Sequence, residues 1–228
     1  LSNETATFNV EAGETVTCTF TNTKRGSIVV EKQTEPDGDA TDFDFNGEID
    51  QLLSDDETAS KEVEPGTYTV SETVPSGWDL TALVCSDANS TEDLSNETAT
   101  FNVEAGETVT CTFTNTKRGS IVVEKQTLPD GDSTLFDFNG DLTASLSDGQ
   151  SDSQEVEPGT YTVSETVPTG WDLTAIACDD VDSVGMGDTA TFNVDPGEMV
   201  TCVFTNTKKG SIVVEKQTLP DGDSTLFD

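Results

Sequence analysis

The feature that most constrains this chain is that it repeats itself, and internal repeats decide architecture before any local pattern does. Leu1–Thr34 recurs letter for letter as Leu94–Thr127, and the nineteen-residue stretch from Gly119 returns as Gly210–Asp228. Each unit is marked by the segment GSIVVEK, which starts at Gly26, Gly119 and Gly210, so the period is 93 and then 91 residues. That is the size of one small all-β domain. The chain is therefore expected to hold the C-terminal strands of a preceding repeat (1–25), two complete repeats (26–118 and 119–209) and the first strand or strands of a following one (210–228). Between repeats, FTNTKRGSIVV leaves only Lys-Arg-Gly to join one strand to the next.

Within a repeat, short runs rich in Val, Thr, Ile, Tyr and Phe are separated by the turn signals PDGD, NG, SDG, EPGT, VPSGW and EAGE, and no window carries a helical period. The first repeat reads as seven strands: Ser27–Thr34, Asp42–Phe45, Glu57–Val63, Gly66–Thr73, Leu80–Cys85, Thr98–Val103 and Glu107–Thr116. Seven strands in one such period predict an all-β fold, a tandem array of antiparallel β-sandwiches of immunoglobulin-like type.

Composition sets the exclusions. With 45 Asp+Glu against 10 Lys+Arg, the formal charge is −35, which repels nucleic-acid backbones and anionic membranes. No apolar run approaches the roughly 20 residues that span a bilayer, so no membrane insertion is expected in this segment, and no signal peptide, tag or sorting tail is visible. The absence of His removes triad hydrolysis and His-ligated zinc from consideration. No enzyme is expected beyond, at most, a self-modifying reaction.

Strand alternation exposes that reaction. Side chains at i, i+2 and i+4 share a face. Ile28 and Val30 are followed in phase by Lys32; Tyr68 and Val70 by Glu72; Val109, Cys111 and Phe113 by Asn115. The second repeat does the same with Lys125, Glu165 and Asn206. Lysine and glutamate are rarely buried without a partner. One reading is a buried ion pair with an asparagine hydrogen bond. The other is an intramolecular isopeptide bond, in which a desolvated, neutral lysine attacks the asparagine carboxamide while a protonated glutamate relays protons to departing ammonia.

Three segments, GSIVVEKQTxPDG, PGTYTVSETVPxGW and TCTFTNTK, give the unit its family likeness. It resembles the prealbumin-like Cna-B and SpaA-type domains of bacterial surface proteins, found in pilin shafts and adhesin stalks, over essentially the whole chain. The resemblance implies that Lys32, Glu72 and Asn115, and Lys125, Glu165 and Asn206, are the isopeptide triads. Asn22 and Lys216 would then be acceptor and donor whose partners lie outside the sequence. A departure from the family pattern is the pair of cysteines in each repeat.

The five cysteines follow the repeat register. Cys85 with Cys111 and Cys178 with Cys202 are the pairings that recur, and Cys18 is the counterpart of Cys111 with its partner outside the segment. Disulfides imply an oxidising, extracellular setting. Asp37, Asp39 and Asp42 in PDGDATD, and Asp130 and Asp132 in LPDGDST, are calcium candidates, set against a solvated acidic surface because no DxDxDG spacing is present. Asn3, Asn89 and Asn96 head N-x-S/T sequons. Trp78 and Trp171 follow Pro-x-Gly turns and are expected to close the end of the core, and GMGDTA reads as a loop because no helix follows it.

The expected function is structural: a segment of a long extracellular tandem-repeat protein forming a stalk, pilus-like shaft or filament. Its partners would be neighbouring repeats and, on self-association into fibres, other copies. The alternative is an adhesive, ligand-binding array, stabilised by calcium.

Overall fold

The computed structural model describes residues 5–219. The chain divides into two compact units, Leu1–Thr116 and Lys117–Asp228. The first holds β1 (Gly26–Glu35), β2 (Phe43–Gly47), β3 (Gln51–Leu53), β4 (Thr58–Val63), β5 (Gly66–Thr73), β6 (Trp78–Cys85), β7 (Thr91–Asp93), β8 (Thr98–Val103) and β9 (Thr108–Lys117). One 3-10 turn, Leu94–Asn96, is N-capped by Asp93. The second repeats the order with β10 (Gly119–Leu128), β11 (Phe136–Gly140), β12 (Ala144–Leu146), β13 (Ser151–Val156), β14 (Gly159–Thr166), β15 (Trp171–Cys178), β16 (Val184–Met186), β17 (Thr189–Val194) and β18 (Met199–Lys208).

Each repeat is a two-sheet sandwich. A four-stranded sheet, β4-β1-β9-β6, faces a five-stranded sheet, β3-β2-β5-β8-β7, and the second repeat matches it with β13-β10-β18-β15 and β12-β11-β14-β17-β16. The alternation of β1, with every second residue buried from Gly26 to Thr34, places Ile28, Val30 and Lys32 inside. Phe45 meets Phe113 edge to face at 5.1 Å across the gap between the sheets. Trp78, 6 % exposed, closes the end of the core against Phe43 at 5.2 Å, and Trp171 repeats this against Phe136.

Two features depart from the reading of the sequence. Nine strands replace seven, the additional ones being three-residue edge strands, too short to carry an alternation. More consequentially, the sandwich is not purely antiparallel: β1 and β9, first and last of the repeat, lie side by side and parallel from Ser27↔Thr108 to Glu35↔Thr116, as do β10 and β18. Residues 5–25 and 210–219 carry no strand.

The glycine that opens each GSIVVEK strand is a packing requirement. A Cβ on Gly119 would land against Val194 Cγ1 and 2.6 Å from Glu198 O; on Gly26 it would meet Val103 Cγ1 and sit 2.7 Å from Glu107 O. Both obstacles lie at the turn that carries the chain from the five-stranded to the four-stranded sheet, so neither yields easily. Gly119→Ala is expected to destabilise the second repeat by about 1–3 kcal/mol through overpacking, read as a lower unfolding midpoint for that repeat in thermal denaturation with the first unchanged.

Candidate functional site

The parallel pairing of β1 and β9 assembles the site. In register, Lys32 faces Phe113 and Thr34 faces Asn115, so the lysine side chain, leaning along its strand, reaches the asparagine one pleat further on. Lys32 and Asn115 are both 0 % exposed. Lys32 Nζ donates to Asn115 Oδ1 at 2.8 Å, to Gln33 O at 2.6 Å and to Phe113 O at 3.3 Å. It lies 4.0 Å from the centroid of the Phe43 ring. From the opposite sheet, β5 brings Glu72 Oε1 to 3.6 Å from the same nitrogen. In the second repeat Lys125 Nζ contacts Asn206 Oδ1 at 2.7 Å, Gln126 O at 2.7 Å and Phe204 O at 3.0 Å, with Glu165 Oε1 at 3.8 Å and the Phe136 ring at 4.2 Å.

Burial is the dominant electrostatic influence. It lowers the lysines to about 8, against the opposing pull of Glu72 on Lys32 and of Glu165 on Lys125. Glu165 is raised to about 7 by the same burial, opposed by the lysine charge, and Glu72 is raised likewise. Six pH units separate such groups in water. In the second repeat burial nearly closes that gap, so the neutral pair, amine and carboxylic acid, lies close in free energy to the ion pair; in the first it shifts each group in the same direction as its counterpart.

The hydrogen bonding is unequal. The lysine nitrogens find acceptors, but both oxygens of Glu72 and Glu165, and Nδ2 of Asn115 and Asn206, are buried without a hydrogen-bond partner. The Lys–Glu contacts are too long for hydrogen bonds. Leaving such groups unsatisfied costs roughly 1–3 kcal/mol each. The atoms left unsatisfied are thus a carboxyl group and an amide nitrogen in each repeat. Chemically, each cluster places an amine against a carboxamide with a carboxyl group, raised by burial toward its neutral form, beside them.

The cysteines join neighbouring strands of the four-stranded sheets: Cys85 on β6 to Cys111 on β9, and Cys178 on β15 to Cys202 on β18, which sit directly opposite in the ladder. Cys18 is unpaired and exposed. Asn22 and Lys216 lie exposed in the stretches without strands. Of the sequons, Asn3 falls outside the described residues, while Asn89 and Asn96 are exposed. The amide of Asn96 donates to Asp93 Oδ2 at 2.8 Å.

The acidic loops arrange themselves differently from the expected calcium set. Asp39 Oδ1 accepts from the backbone and hydroxyl of Thr41, Asp132 Oδ1 does the same for Thr134, and Asp132 Oδ2 pairs with Lys208 at 2.7 Å. Asp37 instead gathers with Asp55 and Asp56. The second repeat has Asp130, Asp148 and Gly149 in these places, so the cluster loses one carboxylate there. Asp55 has structural work of its own, accepting from Thr34 N at 2.5 Å and Gly38 N at 2.7 Å to clamp the PDG turn, as Asp148 does for Thr127 and Gly131. Neither this clamp nor the Phe43 and Phe136 rings over the lysines was evident from sequence, where an aromatic on a strand reads simply as core.

The family model of the prealbumin-like fold domain matches residues 28–117 and again 121–208, and a second model of the same description matches residues 1–24. No curated protein matches the chain. Among solved structures, the Bacillus anthracis TIE protein is 19% identical with a TM-score of 0.32, over 81% of this chain and 35% of that one. The chain thus spans about a third of that protein's length. The major pilin of Streptococcus pyogenes is 14% identical with a TM-score of 0.35, over 82% of this chain and 98% of that one. A bacterial adhesin from Mobiluncus mulieris containing intramolecular disulfide, isopeptide and ester bond cross-links is 12% identical with a TM-score of 0.37, over 67% of this chain and 68% of that one. With two matches to its model and an all-β sandwich at each, this chain belongs to the prealbumin-like fold domain family.

Proposed function

We propose that the chain is a segment of an extracellular, cell-surface or secreted filament or stalk, built from tandem sandwiches each stapled by a disulfide and by a Lys–Asn isopeptide bond. The observation that carries this reading is the parallel pairing of first and last strands with the buried triad between them. The chain enters a repeat at the start of β1 and leaves at the end of β9, so tension on its ends shears this one strand pair. An amide there carries the load while the rest of the sandwich stays out of the force path. In this reading residues 1–25 are the final strands of a preceding repeat and 210–228 the beginning of a following one, with Asn22 and Lys216 belonging to neighbouring triads. Neighbouring repeats and further copies of the chain are its partners. The cysteine pairs suit an oxidising exterior, and Asn89, whose sequon sits on an exposed loop, is the preferred glycan acceptor.

The reaction balances without a cofactor. Lysine Nζ forms a bond to asparagine Cγ, the Cγ–Nδ2 bond breaks, and the proton released by the amine passes through the glutamate to Nδ2, which departs as ammonia. It needs the lysine neutral and the glutamate protonated. In the second repeat, with Lys125 at about 8 and Glu165 at about 7, the two requirements are met best between those values. The rate of ammonia loss from freshly synthesised chain, followed by intact mass, is expected to peak between pH 7 and 8. It should fall about tenfold per pH unit on either side. A rate that climbs steadily to pH 10 would remove the glutamate from the mechanism.

A further inference from the structure

The acceptor asparagine reaches the lysine only in one register of its strand; the buried Val200 and Phe204 oppose a slip of one residue, but alternation alone does not distinguish a slip of two. β18 turns Val200, Cys202, Phe204 and Asn206 inward and Thr201, Val203, Thr205 and Thr207 outward. A slip of one residue would exchange the faces and turn Asn206 away from Lys125. A slip of two would keep the face but carry the asparagine about 6–7 Å along the strand.

The ladder to the neighbouring strand is interrupted at the same place. β15 pairs with β18 through Trp171↔Lys208, Asp172↔Thr207 and Leu173↔Asn206, then resumes at Ala175↔Thr205, leaving Thr174 bulged beside the asparagine. Its hydroxyl donates to Thr205 O at 3.0 Å, and in the first repeat Thr81 bonds Thr114 O in the same way. Beyond the bulge the second ladder runs to the directly opposed pair Cys178↔Cys202, which is disulfide-bonded. A slipped strand would carry the two cysteines out of opposition, and the short reach of a disulfide forbids it.

We infer that the cross-strand disulfide is a positioning device for the isopeptide reaction. Cys178–Cys202 fixes β18 against β15, whose Trp171 packs at 5.2 Å on Phe136, the ring that lies 4.2 Å from Lys125 Nζ, so the disulfide holds Asn206 in the register that presents it to its lysine; Cys85–Cys111 does the same for Asn115 in the first repeat. Oxidation therefore precedes and accelerates amide formation. This rests on the reading of the Lys–Glu–Asn cluster as reactive. In the first step two thiols become a disulfide, their two electrons and two protons passing to a disulfide oxidant such as oxidised glutathione; the amide step that follows involves no redox change.

The test uses the whole chain made by cell-free synthesis and sampled in time by intact mass. In Cys178→Ser/Cys202→Ser the first repeat serves as internal control. One ammonia is expected to leave at the wild-type rate and the other at least tenfold more slowly, with the pH optimum still between 7 and 8. Wild-type chain held reduced should lose both slowly and recover its rate when oxidised glutathione is added, an arm that needs no substitution. Emission of the buried Trp171 checks that the second repeat stays folded. Loss of the second ammonia at the wild-type rate would overturn the inference. So would slowing with an optimum displaced toward the solution values of lysine and glutamate, since that marks a loosened, hydrated core rather than a misplaced asparagine. Oxidised wild-type chain that loses no ammonia would overturn the underlying reading, and this inference with it.

Discussion

Pulled from its two ends, the oxidised chain is expected to gain almost no length from either complete repeat. The parallel β1–β9 pair lies between the points where force enters and leaves, and the proposed amide from Lys32 to Asn115 would bypass everything between them. Only the few residues before Lys32 and after Asn115 are free to extend. If the contact were an ion pair instead, shear would break it and release the repeat, less the loop held by Cys85–Cys111. That leaves roughly 65 residues, or about 200 Å of contour at ~3.3 Å per residue. Force spectroscopy separates these outcomes widely: no event of that length from wild-type chain, and one such step from each repeat whose lysine or glutamate has been replaced. Adding a reductant should lengthen the steps of the replaced repeats to about 300 Å by freeing the disulfide-bound loop.

Glu72→Ala is expected to produce the largest loss of thermal stability. On the proposed mechanism, removing the proton relay prevents the amide and forfeits the stabilisation of a long covalent ring, about 4–5 kcal/mol by the chain-entropy estimate for cross-links. The substitution also strands Lys32 in a fully buried position without its counter-charge. Breaking a buried pair from one side costs roughly 3–5 kcal/mol more, although the depressed lysine lessens this by giving up its proton. For a domain of this size each kilocalorie moves the midpoint by about 4–8 °C, so the first repeat should melt at least 20 °C below the second. Glu72→Gln, which keeps the shape and removes the acid, should likewise retain the first repeat's ammonia and fall between Glu72→Ala and wild type in stability. Calorimetry showing one unshifted transition for Glu72→Ala would mean that the glutamate neither drives the reaction nor pairs with the lysine.

The two strands of the five-stranded sheet bearing Tyr68 and Phe101 were legible to the residue, as Gly66–Thr73 and Thr98–Val103, because each alternates strictly and is bounded by turns. Lys32, Glu72 and Asn115 stood out because a polar side chain in phase with buried neighbours breaks the same alternation. What alternation does not carry is strand direction. It reads identically for parallel and antiparallel partners, so the β1–β9 pairing that gives the site its geometry emerged only from the fold. Gln51–Leu53 and Thr91–Asp93 are too short to show a period and are strands by virtue of the edges they join. Asp55 was hidden for another reason: its clamp on Thr34 and Gly38 spans about twenty residues of sequence, and it looked like one more acid on an acidic surface.

Charge has a different standing in the finished fold. A formal −35 belongs by composition near disordered chains. The sandwiches confine it to the exterior, apart from one glutamate per repeat that burial holds toward its neutral form. The positive charge is equally selective, with one lysine in each complete repeat sealed inside.

The most direct test of covalent stapling is digestion of the denatured, reduced chain followed by peptide mass mapping. The prediction is two branched peptides, one joining the segment around Lys32 to that around Asn115 and one joining Lys125 to Asn206, each lighter by one ammonia than the sum of its parts. Four separate linear peptides at their full masses would contradict it and leave the triads as buried ion pairs.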